Sequence, residues 1–148
     1  MIKPDGVQRR LVGRIVNRIE EKGLKLVGLK LLQMSEKQAK ELYSVHQGKP
    51  FYDGLVKFII SSPVTVMVIE GAYAIKVVRK LLGATFSYDA EPGTIRGDYG
   101  TSKGFNLTHG SDSPESAARE IPIFFGKDEL VSWTPIDTMW VYEGPERS

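Results

Sequence analysis

Val12, Ile15, Val16 and Ile19 recur at the spacing of an amphipathic helix, and Gly23 supplies its stop. Leu24 to Leu32 then alternates, through Leu24, Leu26, Gly28, Leu29 and Leu31, as a strand does. Ser35 is placed to cap a helix that carries Ala39, Leu42, Tyr43 and His46 on one face, and Gly48-Lys49-Pro50 breaks it. Phe51, Leu55, Phe58 and Ile59 are in phase for a second helix. The β-branched run Val64 to Ile69 reads as a strand buried on both faces. Ile75, Val78 and Leu82 line one side of a further helix that ends at Gly83. Ala84 to Phe105 shows little periodicity and much Gly, Pro and Asp; so long an irregular stretch in a compact domain points to function. A short strand leads to His109. A helix follows, capped by Asp112 or Ser113 with Pro114 in its first turn, running to about Ile121, where Pro122 disturbs it.

The order β-α-β-α-α-β-α-loop-β-α predicts an α/β (α+β) sandwich in one domain spanning 1–148, with helices on one face of an antiparallel sheet and a ferredoxin-like βαββαβ core. Only Met1 and Ile2 precede Lys3, so the first strand is expected to be short. Gly144 to Ser148 reads as a loose tail. The 148 residues are 41% apolar, enough for a real core and against disorder. A chain without cysteine has no disulfide framework and no thiolate metal site. The net charge of +2 is too small to argue for a nucleic-acid partner, though its modest basicity suits an anionic ligand, and no specific nucleic acid is expected. No apolar run reaches membrane-spanning length and no signal-peptide core is visible, so a cytoplasmic protein is expected.

Chemistry concentrates in Asn106-Leu107-Thr108-His109-Gly110-Ser111-Asp112, which holds one of the two histidines. Small neighbours let a bulky anion approach the imidazole, and the helix N-terminus that follows favours phosphate. A neutral imidazole is a nucleophile near pH 7 and can carry a phosphoryl group, provided a partner fixes the ring through its other nitrogen. Glu120, eleven positions on, is the candidate orienting carboxylate, and Ser111 is close enough to bridge the two. Phosphoryl transfer also needs cations on the phosphate oxygens. Arg96 lies in the Gly-rich stretch, while Arg79, read alone, is a solvated helix charge. No Gly-x-x-x-x-Gly-Lys-Ser/Thr loop exists, so side chains must hold the phosphates. Phe51, after Pro50, reads either as a core phenylalanine or as a platform for a base, with Leu55 in the same slot. His46 reads as a packed or rim histidine.

The Asn106–Asp112 block resembles the active-site signature of nucleoside diphosphate kinases, Asn-x-x-His-(Gly/Ala)-Ser-Asp. Lys3-Pro4-Asp5-Gly6-Val7-Gln8-Arg9, Pro92-Gly93-Thr94-Ile95-Arg96-Gly97-Asp98 and Trp140-Val141-Tyr142-Glu143 resemble that family's other blocks, in its order and spacing. The resemblance implies ping-pong transfer of the terminal phosphoryl group from a nucleoside triphosphate, usually ATP, to a nucleoside diphosphate through phosphorylated His109. It implies orienting roles for Glu120 and Ser111 and phosphate contacts from Arg79, Thr85 and Arg96. Lys3 and Asn106 would bind the sugar, and Tyr43 would lie near the phosphates and the histidine. Mg²⁺ would bridge the nucleotide phosphates, with no dedicated protein cage and with Asp112 in reach through water. Relatives assemble as hexamers or tetramers, and the retained C-terminal block favours a hexamer. The chain departs from the family at Phe86-Ser87, where Asn-Pro is common, and at Lys103, opposite Phe51, where relatives are commonly apolar. A catalytically silent ferredoxin-like binding module is the alternative; it calls for a basic stripe with interleaved aromatics or a lost nucleophile, and neither is present.

Overall fold

The computed structural model describes residues 1–147. Its helices are α1 Pro4–Gln8, α2 Val12–Glu21, α3 Glu36–Leu42, α4 Tyr52–Ile59, α5 Ala74–Leu82, α6 Ile95–Tyr99, α7 Pro114–Phe124 and α8 Thr138–Val141; its strands are β1 Lys25–Leu32 and β2 Val64–Glu70. β1 and β2 pair antiparallel, from Lys25 opposite Glu70 to Leu32 opposite Val64. Ile2 lies on the other side of β2, bridged antiparallel to Thr65 and to Thr108. Across the sheet the order is therefore β1, β2, Ile2, Thr108. This is the ferredoxin-like arrangement with its first and last strands reduced to bridged residues, and the short first strand is fully used: Ile2 is 1% exposed.

Helices cover both faces, not the one face expected from the pattern. Ile15 and Ile19 of α2 and Leu82 of α5 bury one side with Ile2 and Leu107. Ala39 and Leu42 of α3, Val56 and Ile59 of α4 and Phe125 bury the other with Val64 and Val66. That double cover is why β2 reads as a continuous apolar run.

Several local signals act as the sequence suggests. Gly23 takes a left-handed φ of 83° after α2, a conformation costly for a residue with a Cβ. Ser35 and Gln38 form a reciprocal capping box on α3, and Ser113, not Asp112, caps α7. Other expectations are corrected. His46 lies outside α3, in the 3₁₀ turn Ser44–His46. The irregular stretch holds a turn at Ser87–Asp89 and the unforeseen helix α6, started by Thr94, whose Oγ1 accepts from Gly97 N at 3.0 Å. Helix α7 passes through Pro122 to Phe124. Donors from elsewhere hold that last turn together: Gln38 Nε2 reaches Ile123 O at 3.2 Å and Lys30 Nζ reaches Phe124 O at 2.8 Å. A bulge between Leu26 and Gly28 resets the phase of β1, leaving Leu29 and Leu31 51% and 67% exposed. The tail is tied down as far as described, with Arg147 Nε on Tyr142 O at 2.8 Å; Ser148 lies outside the described residues.

Candidate active site

The segment that presents His109 is locked by its backbone. Met1 N donates to His109 O at 2.8 Å and His109 N to Met1 O at 2.9 Å. Just before it, Leu107 sits fully buried at φ 69°, and Thr108 N donates to Asn106 O at 2.7 Å across it. A non-glycine residue in this γ-turn is strained by roughly 1–3 kcal/mol. Asp5 Oδ2 helps to hold it by accepting from Leu107 N at 3.0 Å. The turn swings the next side chains toward α7. Gly110 has a packing reason to be glycine: a Cβ there would come within 2.8 Å of Leu82 Cδ1. The small size that the sequence suggests for ligand access therefore also serves packing.

His109 Nε2 lies 2.8 Å from Glu120 Oε2, and Ser111 Oγ donates to the same oxygen at 2.8 Å. Arg119 Nη2 donates to the other carboxylate oxygen at 3.1 Å. A carboxylate only accepts, so Nε2 carries the proton and Nδ1 keeps its lone pair. Burial pushes the imidazole below its ordinary pKa, against the opposing pull of Glu120. His109 is therefore neutral at pH 7, which a nucleophile requires. Tyr43 stands edge-on to the imidazole, ring centroids 5.8 Å apart. Among the described residues its hydroxyl is buried without a partner, and burial pushes its pKa up. An orphaned donor beside a nucleophile is suited to an oxygen of an incoming group.

A chain of polar contacts runs from this centre. Lys3 Nζ donates to Asn106 Oδ1 at 2.7 Å, and Asn106 Nδ2 to Thr85 O at 2.8 Å. Arg96 is 3% exposed. Its Nε reaches Asn106 O at 3.1 Å, Nη1 reaches Gly83 O at 2.9 Å, and Nη2 reaches Thr108 O at 2.8 Å. Burial lowers the pKa of Lys3 to about 8, helped by the charge of Arg96, and that of Arg96 to about 10, helped by Arg79. Arg79 is exposed on α5 and leans over the histidine loop, Nη1 on Gly110 O at 3.3 Å. Asp112 accepts from Ser116 Oγ at 2.6 Å and shares a surface cleft with Arg79. The hydroxyl-bearing Thr85 is exposed.

Phe51, the residue before α4, is 53% exposed, which removes the core-phenylalanine reading. Leu55 is half-buried against the α3–α4–α7 core. Lys103 lies over Phe86, its Nζ 5.4 Å from the ring centroid. It is Phe105 that meets α4, stacked on Phe58 at 4.8 Å. Sequence reasoning missed Phe105, Arg119 and Asp5; the adjacency of Arg119 to Glu120 and the place of Asp5 in the Lys-Pro-Asp block were the available signals.

A ferredoxin-like sheet that delivers a neutral, carboxylate-anchored imidazole among lysine and arginine side chains defines a small α/β phosphotransferase. A family model described as nucleoside diphosphate kinase matches residues 1–130, and the chain belongs to that family. Among curated relatives, a nucleoside diphosphate kinase of Synechococcus sp. (strain JA-3-3Ab) is 56% identical over 142 residues, covering 96% of this chain and 95% of the relative. One from Archaeoglobus fulgidus is 54% identical, covering 97% and 95%. Among solved structures, a halophilic nucleoside diphosphate kinase from Halobacterium salinarum in complex with CDP superposes with a TM-score of 0.93 at 56% identity, covering 96% and 95%. A Babesia bovis family member gives 0.92 at 44%, covering 95% of each chain.

Proposed function

We propose that this chain transfers the terminal phosphoryl group of a nucleoside triphosphate, typically ATP, to a nucleoside diphosphate by way of a phosphohistidine at His109. The observation that carries the reading is the 2.8 Å contact between Nε2 and Glu120, which leaves Nδ1 free. In the first half-reaction the Nδ1 lone pair attacks the terminal phosphorus. The bond from phosphorus to the bridging oxygen breaks, and the nucleoside diphosphate leaves with that electron pair. The ring keeps its Nε2 proton and becomes cationic, and Glu120 lies where it stabilises that charge. In the second half-reaction a terminal oxygen of the acceptor diphosphate attacks phosphorus, and the P–N bond breaks to restore the neutral imidazole. Arg79, Thr85 and the Tyr43 hydroxyl donate to phosphate oxygens. Arg96 acts with them and also holds the loop carbonyls together. Lys3 and Asn106 receive the sugar, and Phe51 with Leu55 receives the base by stacking, which is tolerant of base identity.

Mg²⁺ suits this donor set as a partner of the nucleotide: no group of three or more His, Cys, Asp or Glu among the described residues forms a metal cage. The nucleotide phosphates would hold it, with Asp112 in reach through water, and it neutralises phosphate charge when bound. No helix among the described residues is long and apolar enough to cross a membrane, and we place the enzyme in the cytoplasm as a single-domain protomer. Exposure of Leu29, Leu31, Ile136 and Trp140 supports a homo-oligomer, and the retained Trp140-Val141-Tyr142-Glu143 block favours a hexamer over a tetramer. Tyr142, by contrast, is half-buried on the chain's own Gly23, its Oη donating to Gly23 O at 3.1 Å, while Val141 stays 38% exposed. The test is incubation with terminally labelled ATP. Acid-labile label on the protein that a nucleoside diphosphate chases off is the expected result, and its persistence in His109→Ala would overturn the assignment.

A further inference from the structure

Four rings form a column between the candidate nucleophile and the exposed Phe51. Tyr43 meets His109 edge-on at 5.8 Å, His46 stacks on Tyr43 at 6.2 Å with 27° between planes, and His46 meets Phe51 at 5.5 Å and 60°. We propose that His46 is a positioning residue for the nucleobase, fixing the ring of Phe51 in register with His109. The proposal rests on the reading of Phe51 as the base platform.

Phe51 needs such a support. With about half its surface in water, little else restrains its rotamer, and ordering it on binding would cost affinity. His46 is itself well held. Its backbone N–H donates to Tyr43 O at 2.8 Å, and Lys49 Nζ lies 3.1 Å from the ring Nδ1. An ammonium only donates, so Nδ1 accepts, as a neutral imidazole does. That bond parks the Lys49 ammonium 5.8 Å from the Phe51 centroid. The platform thereby carries a cation beside the His46 ring. Tyr43, buried between the two histidines, ties the platform to the reacting nitrogen.

The experiment compares His46→Ala, His46→Gln and His46→Phe, each with and without Phe51→Ala, in steady-state transfer to several nucleoside diphosphates. Loss of one aromatic contact should raise KM for every base by roughly three- to tenfold. His46→Ala and His46→Gln should show this rise with kcat and saturating phosphoenzyme formation unchanged. His46→Phe, which keeps a ring, should recover most of it. In the Phe51→Ala background the His46 substitutions should add nothing. Multiplicative losses, a fall in kcat at constant KM, or wild-type KM in His46→Ala beside a raised KM in Phe51→Ala would each overturn the proposal alone. An unchanged KM in Phe51→Ala would overturn the platform reading and the proposal with it. Thermal melts of the three variants, at a half-exposed turn position, separate these outcomes from misfolding.

Discussion

Replacing Glu120 by Gln tests the centre of the site with a nearly isosteric change. The carboxylate oxygen Oε2 accepts from both His109 and Ser111, and Oε1 accepts from Arg119. The amide keeps the shape and loses the charge. A hydrogen bond to a charged group contributes about 1.5–3 kcal/mol, and here it matters most when the ring becomes cationic on phosphorylation. The expected loss is about ten- to 150-fold in phosphoenzyme formation. The pH profile gives an independent sign. The active form is the neutral imidazole, so activity falls as pH drops through the His109 pKa. Burial lowers that pKa and Glu120 raises it. Removing the carboxylate therefore lowers it further, and the acid limb of kcat/KM moves to more acid pH while the plateau drops. Rapid-mix phosphorylation and kcat/KM measured from about pH 5 to 9 report both effects. A plateau at the wild-type level, or an acid limb displaced upward, would refute the reasoning.

Arg96→Ala and Arg79→Ala should part company. Arg96 is buried on the carbonyls of Gly83, Asn106 and Thr108, so its loss should cost on the order of 3–5 kcal/mol of stability as well as activity. The exposed Arg79 should leave the melting temperature nearly unchanged while transfer slows about a hundredfold; equal melting curves for both variants would contradict the stapling role of Arg96. Lys3 has a folded pKa of about 8 against 10.5 ordinarily. Between those values the unfolded chain binds more protons, so this group's contribution to stability rises with pH, while nucleotide affinity falls as the ammonium is lost; Lys3→Met should flatten both trends in denaturation and binding titrations. If Leu29, Leu31 and Trp140 are covered by neighbouring subunits, thermal stability should fall on dilution, and sedimentation should show the larger species dissociating in parallel; a concentration-independent monomer would rule assembly out.

Much of this architecture is written in local signals. Helix α2, its Gly23 stop, the Ser35 box, the buried β2 and the Ser113–Pro114 start of α7 all follow from side-chain chemistry within a few residues. The pairing of His109 with Glu120 was readable because one turn and one helix separate them. The misses are non-local. Arg96 is held by carbonyls, which every residue carries and no sequence advertises. The bulge that shifts Leu29 and Leu31 depends on pairing with β2, and Pro122 is tolerated because Gln38 and Lys30 arrive from other elements. Thr94, by contrast, was a legible cap for α6, passed over because the surrounding glycines and prolines masked a five-residue helix. At Lys103 and Phe105 the sequence marks the loop, but only pairing with other elements decides that Phe105 stacks on Phe58 while Lys103 lies over Phe86.

The cations of the site bear on what it binds. Lys3 and Arg96 are 7% and 3% exposed, and neither makes a salt bridge: Lys3 bonds an amide oxygen and Arg96 bonds carbonyls. Burying unpaired charge is costly, and the lowered pKa values of both groups express that cost. Packing alone gives no reason to bury unpaired charge there. On the proposed reading, the arrangement becomes favourable when an anion supplies the missing charge, and Arg79, over Gly110 O, would direct that anion toward His109. Lys3 also deters protonation of His109: after burial and the amino terminus, its charge adds to keeping the imidazole neutral. On the same proposed reading, the buried cations thus draw in a polyanionic nucleotide, Lys3 also helps to hold the imidazole neutral, and a single anchoring carboxylate, Glu120, is left to stabilise the cationic ring after phosphoryl transfer.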